Sequence, residues 1–188
     1  RQQGSVSRQL TAQFIANWSA ANPADQLKVR DLAVDQVPHL DANLLGGWMT
    51  PAAQQSEAEQ AALARSNLLT DELLNADVLV LAAPMYNFAI PSTLKAWLDH
   101  VLRAGVTFKY TETGPVGLLN DKPVYIIAAR GGVHKGQPSD TQSQFLTNFL
   151  SFVGLKDVRF IYAEGLNMGQ KDQAFAAAKA AITEGVAA

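Results

Sequence analysis

Three short stretches of this 188-residue chain carry side chains out of keeping with plain connecting loops. Gly4-Ser5-Val6-Ser7-Arg8 sets two hydroxyls at a predicted helix start. Free backbone N–H groups and the positive end of the helix dipole make such a place a ready phosphate site. The plainer alternative is that Ser7 merely caps the helix. The stretch is neither a P-loop, which would end in Gly-Lys-[Ser/Thr], nor a Gly-x-Gly-x-x-Gly turn. The second stretch, 84–88, reads Pro-Met-Tyr-Asn-Phe directly after a buried apolar run. Met85 offers polarizable sulfur, Tyr86 and Phe88 offer ring faces, and Asn87 can both donate and accept. Such a set suits a flat, largely apolar ligand with a heteroaromatic edge, each aromatic contact adding about 0.5–1.5 kcal/mol beyond area burial. The alternative is a loop that tucks its aromatics into the core. The third stretch is Ala129-Arg130-Gly131-Gly132-Val133-His134. Adjacent glycines after a buried strand let backbone approach a ligand closely and expose N–H donors. A tight turn is the alternative there, with Arg130 solvated and His134 an ordinary surface residue.

The rest of the sequence excludes several chemistries. With no cysteine, disulfides, thiolate catalysis and cysteine-based zinc sites are ruled out. The three histidines, His39, His100 and His134, lack ligand spacing, so no metal site is expected. There is no Gly-x-Ser-x-Gly elbow for a hydrolase. No paired carboxylates are expected at the three junctions, so glycosidase-type acid–base chemistry lacks its parts. A net charge of −2 gives no electrostatic footprint for nucleic acid or anionic membrane. No apolar run approaches the roughly 18 residues of a membrane span, and the N-terminus has no secretory h-region. A cytoplasmic protein is the plain expectation.

The elements that must position these stretches follow from hydrophobic pattern. Apolar, β-branched runs at 27–32, 78–83, 124–129 and 158–163 predict strands. The last three are nearly continuously apolar, as in a parallel sheet covered on both faces. Leu10, Phe14 and Trp18 predict a first helix, and Ser56-x-x-Glu59 is a capping box for a helix reaching about Asn75. Leu94, Trp97, Leu98, Val101 and Leu102 stripe a helix opening at Pro91. Phe145, Phe149, Leu150 and Val153 stripe another that Gly154 closes, and a last helix covers about 171–184. Residues 1–188 thus read as one α/β domain, a doubly wound parallel sheet with helices on both faces. Such a sheet opens with a strand, whereas this chain opens on a loop and a helix. A first strand of about ten residues is therefore expected to be absent from the sequence. Two stretches, 34–55 and 105–122, read as irregular loops long enough to be functional. They carry Leu44, Leu45, Trp48 and Met49, and Phe108 and Tyr110, which suits covering a ligand or a partner subunit.

In open α/β sheets ligands bind beyond the carboxyl ends of the strands. A phosphate anchor, a π-rich clamp and a close backbone approach together describe a phosphorylated planar cofactor, with flavin mononucleotide (FMN) the best fit. At this point "APMYNFAIPSTLKAWLDHVLRAGVTFKYTETGPVGLL", "ARGGVHKGQPSD" and Phe149-Leu150-Ser151-Phe152 resemble the FMN-dependent NADH:azo and quinone oxidoreductases, bacterial azoreductases of the flavodoxin-like class. The resemblance runs from Ser5-Val6-Ser7 to the final helix.

The resemblance implies a flavodoxin-like, five-stranded parallel sheet. It implies that Ser5, Val6 and Ser7 hold the FMN phosphate and that Met85, Tyr86, Asn87 and Phe88 line the flavin, with Asn87 near its reactive edge. Ala129, Arg130, Gly131 and Gly132 match the second flavin loop, where family members usually carry serine in place of Ala129. Tyr110 and Phe152 match aromatics that reach over the flavin from the other subunit of a homodimer, where with Asn87 they meet substrate. The activity implied is ping-pong hydride transfer from NADH or NADPH, through the flavin, to quinones and azo or nitroaromatic compounds. No side chain is needed as nucleophile, and solvent, His134 or Tyr110 would supply a proton. The alternatives within the same fold are a flavodoxin-type electron carrier, which is usually strongly acidic, and a flavin-bound regulatory module.

Overall fold

A computed structural model describes residues 4–187; Arg1-Gln2-Gln3 and the expected first strand lie outside the described residues. The centre of the molecule is β4 (Val124–Ala129), whose six residues are all buried. It pairs in parallel with β1 (Leu79–Ala82) on one side and β5 (Val158–Ala163) on the other, in register Leu79↔Val124 and Val124↔Val158. Alternate side chains of β4 face opposite ways, as the two-residue strand period requires. Val124 and Ile126 enter one core with α3 (Glu57–Asn75), α4 (Ser92–Val101) and α5 (Thr141–Val153). Tyr125 and Ile127 enter a second core with α1 (Val6–Ala21) and α6 (Lys171–Ala187). Helices thus cover both faces.

Each helix starts and stops for a readable reason. At α3 both halves of the capping box form, with Glu59 Oε2 accepting from the Ser56 N–H at 2.7 Å. The α4 stripe buries Leu94, Trp97, Leu98 and Val101 against the sheet, each contributing about 1.5–3 kcal/mol of apolar burial. Gly154 ends α5 at φ 106, a left-handed conformation that costs glycine no Cβ clash. The cap of α1 is Ser5, not Ser7: Ser5 Oγ accepts from the Arg8 N–H at 3.4 Å. Ser7 lies inside the first turn, buried, with its hydroxyl 3.1 Å from that of Ser5.

Three expectations are corrected. Of the five parallel strands expected, the first was expected outside the sequence, and of the other four, three form among the described residues. Residues 27–32 form no strand, because no strand among the described residues runs beside them to complete a ladder. Leu27 and Val29 stay exposed, and Arg30 instead binds Glu72 through two nitrogens at 2.7 Å. The two stretches read as loops are also structured. Residues 34–55 contain α2 (Ala42–Met49), capped by Asp41 Oδ1 on the Leu44 N–H at 2.9 Å, and a 3₁₀ turn (Ala52–Gln54). Gly47 lets α2 lie directly on α3, since a Cβ there would come 2.8 Å from the Glu59 carbonyl oxygen. Residues 105–122 contain an antiparallel hairpin of β2 (Phe108–Thr111) and β3 (Gly114–Gly117), closed by Glu112-Thr113.

Candidate functional site at the carboxyl edge of the sheet

Parallel pairing brings the loops after β1 and β4 side by side. The ladder continues beyond β1, with Ala83 N–H donating to Ile127 and Met85 N–H to Ala129, at 3.0 and 2.9 Å. The chain then reverses abruptly. Tyr86 and Ala89 exchange both backbone hydrogen bonds at 2.9 Å, and the residues between them, Asn87 and Phe88, have φ of 48° and 65°. Positive φ at both central positions marks a type I′ turn. Asparagine tolerates that conformation; phenylalanine does so at a cost of about 1–3 kcal/mol. The turn is secured from outside by Thr141, whose hydroxyl donates to the Phe88 carbonyl, and by His134, edge-on to the Phe88 ring at 5.7 Å. Tyr86 and Phe88 remain 57% and 58% exposed, so these aromatics do not fill the core.

The loop after β4 turns its carbonyls one way and its N–H groups the other. The carbonyls of Arg130, Gly131 and Gly132 accept from Leu166, Asn167 and Gly165, at 3.2, 3.0 and 2.9 Å. The N–H groups of Gly131, Gly132 and Val133 have no acceptor among the described residues. Both glycines leave room for neighbouring side chains. A Cβ on Gly131 would meet Asn167 Nδ2 at 2.5 Å, and one on Gly132 would meet His134 Nε2 at 2.9 Å.

Arg130 is the main surprise. Expected in solvent, it is fully buried. Its Nε donates to Gln142 Oε1 (3.0 Å), Nη1 to Glu164 Oε1 (3.0 Å), and Nη2 to Asp140 Oδ1 (2.9 Å) and Ser143 Oγ (2.7 Å). The guanidinium also lies 4.9 Å from the Tyr162 ring centre. Two carboxylates therefore do meet at this junction, against expectation, but one arginine binds both, which leaves neither set up as a general acid. Burial opposes ionisation of Asp140, yet the Arg130 guanidinium and Ser143 together hold its pKa below the usual carboxylate value. Gln142, itself buried, joins the two loops: its Oε1 takes Arg130 and its Nε2 donates to the Ala83 carbonyl at 2.9 Å. Glu164 Oε1 further accepts the N–H groups of His134 and Lys135, at 2.9 and 3.0 Å.

The start of α1 completes the edge. The Phe14 ring lies tilted 4.8 Å from that of Tyr125, the second residue of β4, and Asn17 reaches Thr183 near the end of α6. That places the carboxyl end of α1 at the amino ends of the strands and its N-terminus at their carboxyl ends. Of the first-turn donors, Arg8 and Gln9 N–H bind Ser5, while Val6 and Ser7 N–H have no acceptor among the described residues.

Tyr110 and Phe152 lie elsewhere. Phe108 stands between them, 5.4 Å from Tyr110 and 4.8 Å from Phe152, and Tyr110 is 75% exposed. Phe152 is eleven residues along α5 from Thr141, about 16 Å at the helical rise. One chain does not bring them to Asn87. The residues missed from sequence, Asp140, Thr141, Gln142, Glu164 and Asn167, belong to the α5 start and the loop after β5. The available signal was an acid directly after a buried strand, Ala163-Glu164-Gly165.

Comparison with known proteins agrees with this architecture. The family model for the flavodoxin-like fold matches residues 1–186. The chain is 69% identical over 169 residues to FMN-dependent NADH:quinone oxidoreductase 2 of Pseudomonas fluorescens (strain Pf0-1), covering 90% of this chain and 85% of that one. It is 60% identical over 182 residues to the FMN-dependent NADH:quinone oxidoreductase of Cellvibrio japonicus, covering 97% and 92%. Among solved structures, the azoreductase of Bacillus anthracis str. Sterne matches with a TM-score of 0.92 at 27% identity, covering 99% of this chain and 93% of that one. The FMN complex of an NADH-azoreductase from Bacillus anthracis str. Ames Ancestor matches with a TM-score of 0.91 at 27% identity, covering 97% and 90%. The chain belongs to the flavodoxin-like fold family, in the group formed by these FMN-dependent NADH:quinone oxidoreductases.

Proposed function

We propose that the chain is an FMN-dependent oxidoreductase that uses NADH to reduce quinones and azo compounds. The observation that carries this reading is the carboxyl edge itself. Unbonded N–H groups at the start of α1 and in the loop after β4 share this edge with two aromatic side chains left more than half exposed. A phosphorylated, planar, heteroaromatic cofactor fits both needs. Val6 and Ser7 N–H, with the Ser5 and Ser7 hydroxyls, would hold the phosphate, aided by the α1 dipole. Met85, Tyr86, Asn87 and Phe88 would line the ring system, Asn87 at its polar edge. Gly131 and Gly132 would present their N–H groups to it, while Ala129 and Arg130 support that loop from within. When bound, FMN supplies the hydride chemistry, accepting from NADH and donating to the electron-poor substrate.

The protein's own part is positional. The turn at 86–89 fixes the ring-lining side chains, and the internal arginine network fixes the opposing N–H groups. Tyr110 and Phe152, too far from Asn87 in one chain, would cover the site of a second copy in a homodimer. Leu45 and Met49 of α2 are also exposed, which suits such an interface. His134, with Nδ1 2.9 Å from the Ser139 hydroxyl, is the side-chain proton donor to test. No helix of the described residues is long and apolar enough to cross a membrane, and we assign the enzyme to the cytoplasm. Nitroaromatic substrates and the use of NADPH extend the same reading.

Steady-state rates with NADH varied at several fixed quinone concentrations test it. Parallel double-reciprocal lines are expected, since each substrate must leave before the next enters one shared site. Lines that intersect, or no turnover from FMN-loaded protein, would count against it.

A further inference from the structure

Peptide groups in a glycine pair are free to rotate, so something must decide which way the 131–133 N–H groups point. The carbonyl side is held by the backbone of 165–167, through the three hydrogen bonds from Gly165, Leu166 and Asn167. On the downstream side, the backbone N–H groups of His134 and Lys135 share one acceptor atom. Glu164 Oε1 accepts His134 N–H at 2.9 Å, Lys135 N–H at 3.0 Å and Arg130 Nη1 at 3.0 Å. Arg130 and Lys135 bracket the glycines, so this single oxygen pins both ends of the loop. The carboxylate is 13% exposed, and Arg130, which orients it, is fully buried. Arg130 is also tied through Gln142 to the Ala83 carbonyl just before the 84–88 stretch.

We infer that Glu164 is a positioning residue for the cofactor: it sets the 131–135 backbone so that the Gly131, Gly132 and Val133 N–H groups face the bound ring. This rests on the FMN reading above, with Arg130 acting through Glu164 and not on the ligand. What matters is an acceptor oxygen at this reach. The negative charge is secondary, because Asp140 still neutralises Arg130 when Glu164 is replaced.

That distinction gives an ordered test. FMN is stripped and titrated back into wild-type protein and into E164A, E164D and E164Q, following flavin fluorescence, with Tm recorded for each. Amide exchange at His134 and Lys135 is measured on the same samples. E164Q keeps an acceptor oxygen in place and is expected to bind FMN within about threefold of wild type. E164D, one methylene short, cannot reach both amides, so it and E164A are expected to lose tenfold or more in affinity, with faster exchange at both amides. E164D keeps the charge partner of Arg130 and remains informative if E164A does not fold. Wild-type affinity in folded E164A or E164D overturns the inference, even with a lowered Tm, because a merely structural role predicts that result. E164D binding like wild type while E164Q fails would overturn it in favour of charge. Wild-type protein that does not bind FMN fails the underlying reading instead, which separates the two.

Discussion

Replacing Arg130 by methionine would remove a buried guanidinium while keeping an unbranched apolar stem of similar reach. The wild-type side chain is fully buried, and the carboxylates it binds, Asp140 and Glu164, are only 10% and 13% exposed. Removing one partner of such a network leaves the others charged and poorly solvated, which costs about 3–5 kcal/mol. The lost bonds to Ser143 and Gln142 belong to the same network and do not add independently. Against a typical domain stability of about 5–15 kcal/mol, R130M should survive but be severely weakened, with Tm lower by about 6–20 °C. The pH dependence distinguishes this mechanism from simple loss of packing. In the wild type the Asp140 pKa is held below its usual value, so its contribution to stability is present above about pH 4 and is lost only in stronger acid. In R130M, burial, the largest influence on Asp140, is opposed only by the Ser143 hydrogen bonds, and the folded-state pKa should rise above the unfolded one. Lowering the pH then relieves the penalty, so the stability gap between wild type and mutant should narrow by about 1 kcal/mol or more from pH 8 to pH 5. Urea unfolding at the two pH values measures it. A gap under about 1 kcal/mol at pH 8, or one unchanged at pH 5, would refute the reasoning.

Other perturbations separate site from core. F88G removes an exposed ring and relieves a left-handed phenylalanine that costs about 1–3 kcal/mol, so stability should hold or rise while FMN affinity falls. A large drop in Tm would mean the ring is core after all. His100 is buried with Nδ1 unpartnered, and burial lowers its pKa despite the hydrogen bond between Nε2 and the Pro38 carbonyl. The unfolded imidazole therefore takes its proton first. Stability should fall as pH drops below about 6.5, by up to about 1.4 kcal/mol per unit, and be flat in this respect above it. Chemical unfolding of wild type and H100Q at pH 7.5 and 5.5 checks this, the variant being the flatter. Tyr110→Ala should leave monomer stability and FMN binding nearly unchanged, since the side chain is 75% exposed, while weakening self-association and raising the quinone KM. Sedimentation across a dilution series and steady-state kinetics report both, and unchanged values would remove Tyr110 from the shared site.

Signals confined to one element were legible in the sequence. The unbroken apolar run of β4 announced a strand buried on both faces, and Ser56-x-x-Glu59 announced the start of α3, because strand burial and capping are local. The 84–88 turn stood out because exposed aromatics after a strand have no structural use, and its exposure agrees. Features that depend on distant partners were not legible. Residues 27–32 have strand composition but no neighbouring strand among the described residues, and composition alone cannot supply a ladder. The α2 helix was hidden by Gly46-Gly47, which lower helix propensity yet allow close contact with α3. Arg130 read as solvated because its acids lie 10 and 34 residues away, and only the fold brings them together.

The central claim, that this carboxyl edge holds FMN for transfer between NADH and a quinone, is tested most directly by the visible spectrum of the purified protein under anaerobic conditions. A yellow protein is expected, whose released cofactor has the mass of FMN and which bleaches on adding NADH and regains its colour on adding a quinone. Protein that takes up no FMN, or that binds it and stays oxidised with NADH, would show that this edge does not serve such a transfer.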